Sequence, residues 1–385
     1  MSPMLSVPSS SARSAARATV RGATVLGAIG FGTRWSVSLS LALLLPSALA
    51  AQTERRTLTG SHVALYNVAG DVRIVRGDRR EVEFEITKRG RDADRLRIEA
   101  GTVRGLPTLR VIYPDDDVVY RGGPERRWGG STETRIRDDG TWGGDGWRGR
   151  DGQRVRVKSS GSGLEAWADI RVLVPEGTAL DSYLLVGEMR ATDVDGDLRL
   201  DVASARVAAT DTRGTLVVDA GSGAVALHGT RGRRLSVDNG SGSVSLDRVS
   251  SDDCTVDTGS GGVSATELSC KRLSVDVGSG SVRLGSVSAT DVSVDAGSGG
   301  VSLDMISSPS SVSVDAGSGG VTLTLPNDFG AEVDIETGSG SITTDFAVRT
   351  RTVERRHLRG TIGNGAGRVV VETGSGSVRL RRSGM

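Results

Sequence analysis

The sequence predicts an all-β fold: a parallel β-solenoid (single-stranded β-helix) with coils of about 19 residues, preceded by an N-terminal β-strand region. Three observations predict it. The triplet Gly-Ser-Gly begins at Gly221, Gly240, Gly259, Gly278, Gly297, Gly317, Gly338 and Gly374, with four steps of 19 and then steps of 20, 21 and 36. A fixed period near twenty residues marks a solenoid, in which each unit buries its apolar face only against its neighbours. Apolar residues flank every triplet two apart, the period of a strand, while Gly and β-branched residues inside each unit disfavour helix. Aromatics make up only 3% of the 385 residues, so the core must come from Val, Leu, Ile and Ala.

The chain opens with a leader. Residues 1–50 contain no acid, carry Arg13, Arg17, Arg21 and Arg34, and lead through an apolar run (Val37 to Leu45) to Pro46 and an A-x-A site at Ala48 and Ala50. That is the grammar of a signal peptide cleaved near Ala50, and the run is too short to span a bilayer as an uncleaved anchor. The mature chain then has 44 basic and 47 acidic residues, and works outside the cytoplasm in the periplasm, at the surface or secreted. A formal charge of +1 for the whole chain argues against nucleic acid or an anionic membrane as partner.

Residues 53–114 alternate apolar and polar residues in short runs such as "HVALYNV", "EVEFEITKRG" and "TLRVIYP", an N-terminal β-strand region. Residues 115–152 change character: Gly, Arg, Asp and Trp dominate and no packable face is visible, which predicts a flexible insertion. Strand grammar returns at 153 and continues as the solenoid to 385, with the regular Gly-Ser-Gly repeats over 216–385. Around Ser204 and Gly187 the repeat is present only as worn copies.

Each unit reads apolar-x-Val-Asp-x-Gly-Ser-Gly-x-Val-x-Leu. Leu235 and Val237 point one way, Val244 and Leu246 follow the turn, and Val249, Leu268, Val287 and Ile306 supply a third inward position. Two short strands, or three, make one coil. Stacking coils about 4.8 Å apart lines Val on Val. Gly in the triplet is read as permitting positive φ at a sharp turn, and eight equivalent serines speak against any one being a nucleophile.

Few residues carry candidate chemistry. Asp219, Asp238, Asp257, Asp276, Asp295 and Asp315, continued by Glu336 and Glu372, form an outward acidic ladder. We read it as structural, each carboxylate accepting turn amides two residues on, with a Ca²⁺ stripe as the alternative. Cys254 and Cys270 are the only cysteines; Cys270 should lie one rung above Ser251, which leaves a disulfide and two buried thiols both open. His62, His228 and His357 stand apart, without metal or nucleophile–base spacing. Trp128, Trp142 and Trp147 fall in the insertion, either as a binding arm or as indoles folded against the solenoid. No catalytic set, cofactor or metal site is expected.

The repeated "VDxGSGxVxL" units and the terminal "LRGTIGNGAGRVVVETGSGSVRLRR" resemble the bacterial DUF4097 group, over roughly residues 60–385 with 115–152 as a departure. The resemblance implies a β-helical extracytoplasmic protein, described as adhesin-like and without established enzymatic activity. The expected function is therefore a non-catalytic, adhesin-like binding or scaffold role toward an envelope, carbohydrate or protein ligand, not as an integral membrane protein. The alternatives are a polysaccharide-active enzyme, and a structural protein that associates end to end through an open edge at Val369 to Leu380.

Overall fold

The computed structural model describes residues 53–122, 130–143 and 152–384. Strands stack in parallel, like residue over like residue. Val218, Val237, Val256, Val275, Val294 and Val314 are register partners in turn, as are Val225, Val244, Val263, Val282, Val301 and Val321. All are buried in one continuous core.

The stack starts earlier than the sequence suggests. His62–Gly77 is itself a rung: it pairs in parallel with Ala179–Thr192, which pairs with Leu198–Thr210. Below it lies a split layer. Trp167–Pro175 runs parallel to its second half and Leu106–Ile112 to its first. Antiparallel Val82–Arg89, Thr53–Leu58 and Arg97–Val103 extend that layer sideways. The boundary read at residue 153 thus does not divide the fold.

One regular coil, Val263–Val277, shows why 19 residues suffice. Val263 and Ala265, then Leu268 and Cys270, then Leu273, Val275 and Val277 are buried, separated by the exposed pairs Thr266–Glu267 and Lys271–Arg272. Two adjacent outward residues turn the chain, so the coil has three faces. The first of these corners takes a left-handed residue in successive coils: Asp193, Asp211, Gly229, Arg248, Glu267 and Ser286 all have φ between 51° and 65°. Most of these are not glycine, so the rung contacts hold them against a local steric cost.

The triplet glycines have a different reason from the one expected. Of those at Gly-Ser-Gly positions only Gly223 has positive φ. The others are needed because backbones stack there: a Cβ on Gly261 would lie 1.8 Å from the Gly242 carbonyl oxygen, and one on Gly299 1.8 Å from that of Gly280. Ile306 departs as well. It is 64% exposed, and Met305, fully buried, stands opposite Val287 after a register shift. The 20-residue step loses one residue before Met305 and gains two between Met305 and Ser311.

The C-terminal coil is not an open end. Gly367–Thr373 inserts between Ser311–Ala316 and Ala331–Thr337, and Val378–Arg382 pairs with both Val321–Leu325 and Ile342–Thr344. The 36-residue step is a detour. The chain leaves a rung empty, adds the strand after it, turns through the antiparallel pair Val348–Glu354 and His357–Ile362, and returns to fill the gap. Arg379, Arg381 and Arg382 therefore sit in an interior rung, Arg382 over the Phe346 ring at 5.0 Å.

The insertion is to a large extent built as structure. Asp117–Val119 and Ser131–Ile136 pair with Gln153–Lys158 in a separate three-stranded sheet. Its Val118, Val155 and Val157 pack with Val68, Leu185 and Ala203 of the first rungs in a second hydrophobic cluster. The described residues of 115–152 are held by apolar contacts that the Gly-rich composition hid. Trp128 and Trp147 lie outside the described residues.

Candidate binding face

The third segment of each coil places a carboxylate outward between two buried residues, because a strand alternates its side chains. In register these are Asp201, Asp219, Asp238, Asp257, Asp276, Asp295, Asp315, Glu372 and Glu336. The six aspartates expected from the sequence are thus brought into one column, with Asp201 added at its head. Rungs about 4.8 Å apart put like charges within strong mutual reach.

The expected capping role does not hold. Among the described residues, Asp219, Asp238, Asp257, Asp276, Asp295 and Asp315 make no side-chain hydrogen bond or ion pair. In four coils the next, inward residue caps the turn instead, while Ala220, Val277, Ala296 and Ala316 have no side chain that could. Asn239 Oδ1 accepts from the Gly242 N–H at 3.3 Å, Thr258 Oγ1 from Gly261 at 3.2 Å, Thr337 Oγ1 from Gly340 at 2.9 Å and Thr373 Oγ1 from Gly376 at 3.2 Å. Among the described residues these outward acids are unpaired. Partial burial raises the Asp238 carboxyl above its ordinary range, with Asp219 adding to it. Asp257 rises by burial and then by Asp238 and Asp276; Asp295 rises by burial and then by Asp276 and Asp315.

Neighbouring charges are handled differently. Four residues before each aspartate, Arg234, Asp253, Arg272 and Asp291 alternate in sign from rung to rung, with Arg272 and Asp253 2.5 Å apart. Lys271 meets Asp252 at 2.9 Å. Each histidine has a carboxylate: His62 with Asp181 at 3.0 Å, His228 with Asp247 at 2.7 Å and His357 with Asp334 at 2.8 Å. Between the alternating column and the acids runs a column of hydroxyls, Ser236, Thr255, Ser274, Ser293 and Ser313. A shallow groove of about 540 Å³ follows this face from Arg234 to Ser313.

Beneath the groove, Cys254 and Cys270 are joined in a disulfide across 16 residues. Both cysteines are buried. Ser251 is the register partner of Cys270, as the repeat predicts.

The face changes at its head. The acid column continues downward as Tyr183 and Tyr66, whose rings stack with centroids 4.3 Å apart. The serines of the Gly-Ser-Gly turns, headed by Ser222 and Ser204, continue as Val186 and Ala69. Where later coils carry the first triplet glycine, the early rungs carry Ala203, Leu185 and Val68. These apolar substitutions lie under the insertion. Trp142, only 5% exposed, meets Tyr66 edge-on at 5.2 Å, and Thr132 Oγ1 bonds Ser204 Oγ at 2.7 Å. Asp201, 5% exposed and without a hydrogen bond or ion pair among the described residues, lies at the seam, its carboxyl pushed up to about 6 by burial and then by Asp219, with Arg199 opposing. The "worn" repeats are covered repeats, and the missing triplets were the available signal.

A second acidic group escaped sequence reasoning because its members are far apart in the chain. Asp71, Asp169 and Glu188 meet near Tyr120; burial, then Asp169 and Glu188, raise the Asp71 carboxyl. Arg89 holds Asp169 at 2.5 Å and Arg190 holds Glu188 at 2.6 Å, so two of the three acids are paired, while Asp71 Oδ1 and Glu188 Oε2 are buried without a hydrogen-bond partner among the described residues. Among the described residues no group of three or more His, Cys, Asp or Glu is arranged to hold a metal ion, and no helix is long and apolar enough to cross a membrane.

No curated protein matches the chain. Among solved structures, a crystal structure of a "putative cell adhesion protein" from Clostridium sporogenes aligns with 86% of this chain and 99% of that one, at 10% identity and a TM-score of 0.19; so low a score carries no argument. The Toastrack DUF4097 family profile matches residues 166–381, more than half of the sequence and nearly all of the stacked rungs above the first. The chain belongs to the Toastrack DUF4097 family.

Proposed function

We propose that this is a non-catalytic, exported protein of the cell envelope or surface that binds a partner bearing regularly spaced cationic groups along its carboxylate face. One observation carries the reading: among the described residues the column Asp219 to Asp315 makes no ion pair, while the adjacent column, Arg234 to Asp291, alternates in sign and pairs Arg272 with Asp253. Repulsion between stacked carboxylates weakens the fold unless something outside it compensates. The unpartnered, nearly buried Asp201 at the head of the same column is the second observation in support. Residues 1–50 are read as the export signal. A protein or carbohydrate presenting ammonium or guanidinium groups fits this face; a single chelated ion does not. The identical acids along the column also count against a polysaccharide-cleaving site, which needs unlike groups at one place.

Binding of a fluorescein-labelled oligolysine to the mature chain, followed by anisotropy, tests the reading. The native protein is expected to bind, and to lose affinity steeply between about 50 and about 300 mM salt. A D238N/D257N/D276N variant should bind at least tenfold more weakly. Binding unchanged in that variant, or absent in the native chain, would refute the proposal.

A further inference from the structure

The segment covering the head of this face ends in a small self-contained tip. Within it the Arg137 N–H donates to the Thr141 carbonyl at 2.9 Å and the Gly140 N–H to that of Arg137 at 2.8 Å. Arg137 Nη2 donates to the Gly143 carbonyl at 2.8 Å and the Thr141 N–H to Asp139 Oδ1 at 3.0 Å. The tip is moored by Arg110 Nη1 on the Asp139 carbonyl at 2.6 Å, Arg104 Nη2 on Asp139 Oδ2 at 3.9 Å, Gly140 beside Ile112, the Trp142 indole on Tyr66, and Gly143 beside Asp201. At Gly143, φ is +74° and a Cβ would come within 3.1 Å of Asp201 Oδ2. Only a residue without a side chain leaves room beside that carboxyl.

We propose that the Arg137–Gly143 tip is a clamp that seats over the head of the carboxylate face only while Asp201 is uncharged, so that the face opens as the medium passes from acid to neutral. A carboxylic acid tolerates the dry seat; a carboxylate there loses its hydration with no partner in exchange. The groups facing Asp201 do not rescue it. Asp219 on the next rung repels it, and Tyr183 on the rung before is a neutral phenol stacked on Tyr66. Arg199, two residues away on its own strand, opposes the shift without forming an ion pair. From the tip, Arg137 is engaged by Thr141 and Gly143, and Asp139 by Thr141 and Arg104. Asp181, on the strand of Tyr183, is taken by His62.

The sign follows directly. The covered carboxyl titrates at about 6 rather than 3.8. Below that pH it is neutral and the tip stays down. Above it, lifting the tip returns water to the charge; about two pKa units would correspond to at most about a hundredfold bias toward the open state, less the share that Asp219 and the rungs themselves contribute. Lifting bares the Tyr66 and Tyr183 rings beside Asp201 and lengthens the exposed column by one carboxylate. That consequence for binding rests on the proposed role of the face; the conformational step does not.

The two are separated experimentally. Oxidative footprinting of Trp142 and hydrogen exchange over 137–143 are followed on the full chain from pH 5 to pH 8. The native protein should show Trp142 shielded at pH 5 and labelled severalfold faster at pH 8, after correction for intrinsic rates. D201N, neutral and isosteric, should keep it shielded throughout. D219N removes a charge that helps to raise the Asp201 carboxyl, so the opening midpoint should move to lower pH while the pH dependence itself persists. Equal labelling at pH 5 and pH 8, or a D201N that follows the native profile, overturns the clamp. Oligolysine binding is a separate arm: a pH-gated tip without binding sinks the proposed function and leaves the clamp standing.

Discussion

The backbone of Gly242 passes so close to Gly223, one rung below, that a Cβ at Gly242 would lie 1.6 Å from the Gly223 carbonyl oxygen. The obstacle is main chain and cannot rotate away, so Gly242→Ala must push neighbouring rungs apart or bend the turn. Overpacking costs about 1–3 kcal/mol when side chains can yield, and this site should reach or exceed the top of that range. Gly262 is the control, since its Cβ would meet nothing nearer than the Ser281 carbonyl oxygen at 3.2 Å. Urea titration should show G242A strongly destabilised and G262A within about 1 kcal/mol of native. Equal effects would mean that rung spacing does not select these glycines.

The repeat was legible because stacking enforces it: a residue meeting its own copy leaves a period of 19 in the sequence. What lay outside that constraint was not. Ile306 and Met305 are both apolar, and only the register shift after Leu284 decides which of them faces the core. Trp142 sits among glycines and charges, and the Tyr66 ring that receives it is remote in sequence. The acidic column was visible as a pattern, yet its lack of countercharge depends on which arginines and lysines reach it, and periodicity carries no information about that.

The disulfide yields a second prediction. Cys254 and Cys270 close a 16-residue separation, for which the loop-entropy estimate is about 3 kcal/mol. Reductant, or a C254A/C270A variant, should lower stability by that order. Hydrogen exchange should rise most in the rungs Val244–Thr258 and Val263–Val277, which the bond ties together. Unchanged exchange there would show that the stacked core alone holds these rungs.

Asp201 makes stability depend on pH in the sense opposite to a salt-bridged carboxylate. Its folded-state pKa is raised, to about 6 from 3.8, so the folded state favours the neutral form. The penalty is absent below about pH 4, grows through the interval up to about 6, and is complete above it. Asp201→Asn should therefore leave stability unchanged at pH 4 and raise it at pH 7.5 by at most about 3 kcal/mol, less whatever tip opening already relieves. Asp219 contributes to the raised value. Asp219→Asn must accordingly move both this transition and the opening of the tip to lower pH; a midpoint moving upward would contradict the electrostatic account. Denaturant titrations of the native chain and both variants at the two pH values check each direction.

The returning C-terminal coil makes the end of the chain a middle piece of the fold. Val369 has Val312 on one side and Val333 on the other, and all three are buried. A chain ending at residue 365 therefore lacks an interior rung, and Ala331–Thr337 loses its parallel partner. A chain ending at residue 326 removes the returning coil together with everything stacked beyond it, so the rung of Ser311–Ala316 and Val321–Leu325 becomes a simple end. The longer truncation should then be the better behaved of the two. The chain ending at 326 is expected to keep exchange protection through Val282–Ala296, as nearest-neighbour stacking requires. The chain ending at 365 is expected to expose residues 326–365 to rapid exchange and proteolysis, because their apolar positions face a gap. If the chain ending at 365 were instead protected through Ala331–Thr337, that strand would have closed onto Ser311–Ala316 directly, and the returning coil would be dispensable to the stack.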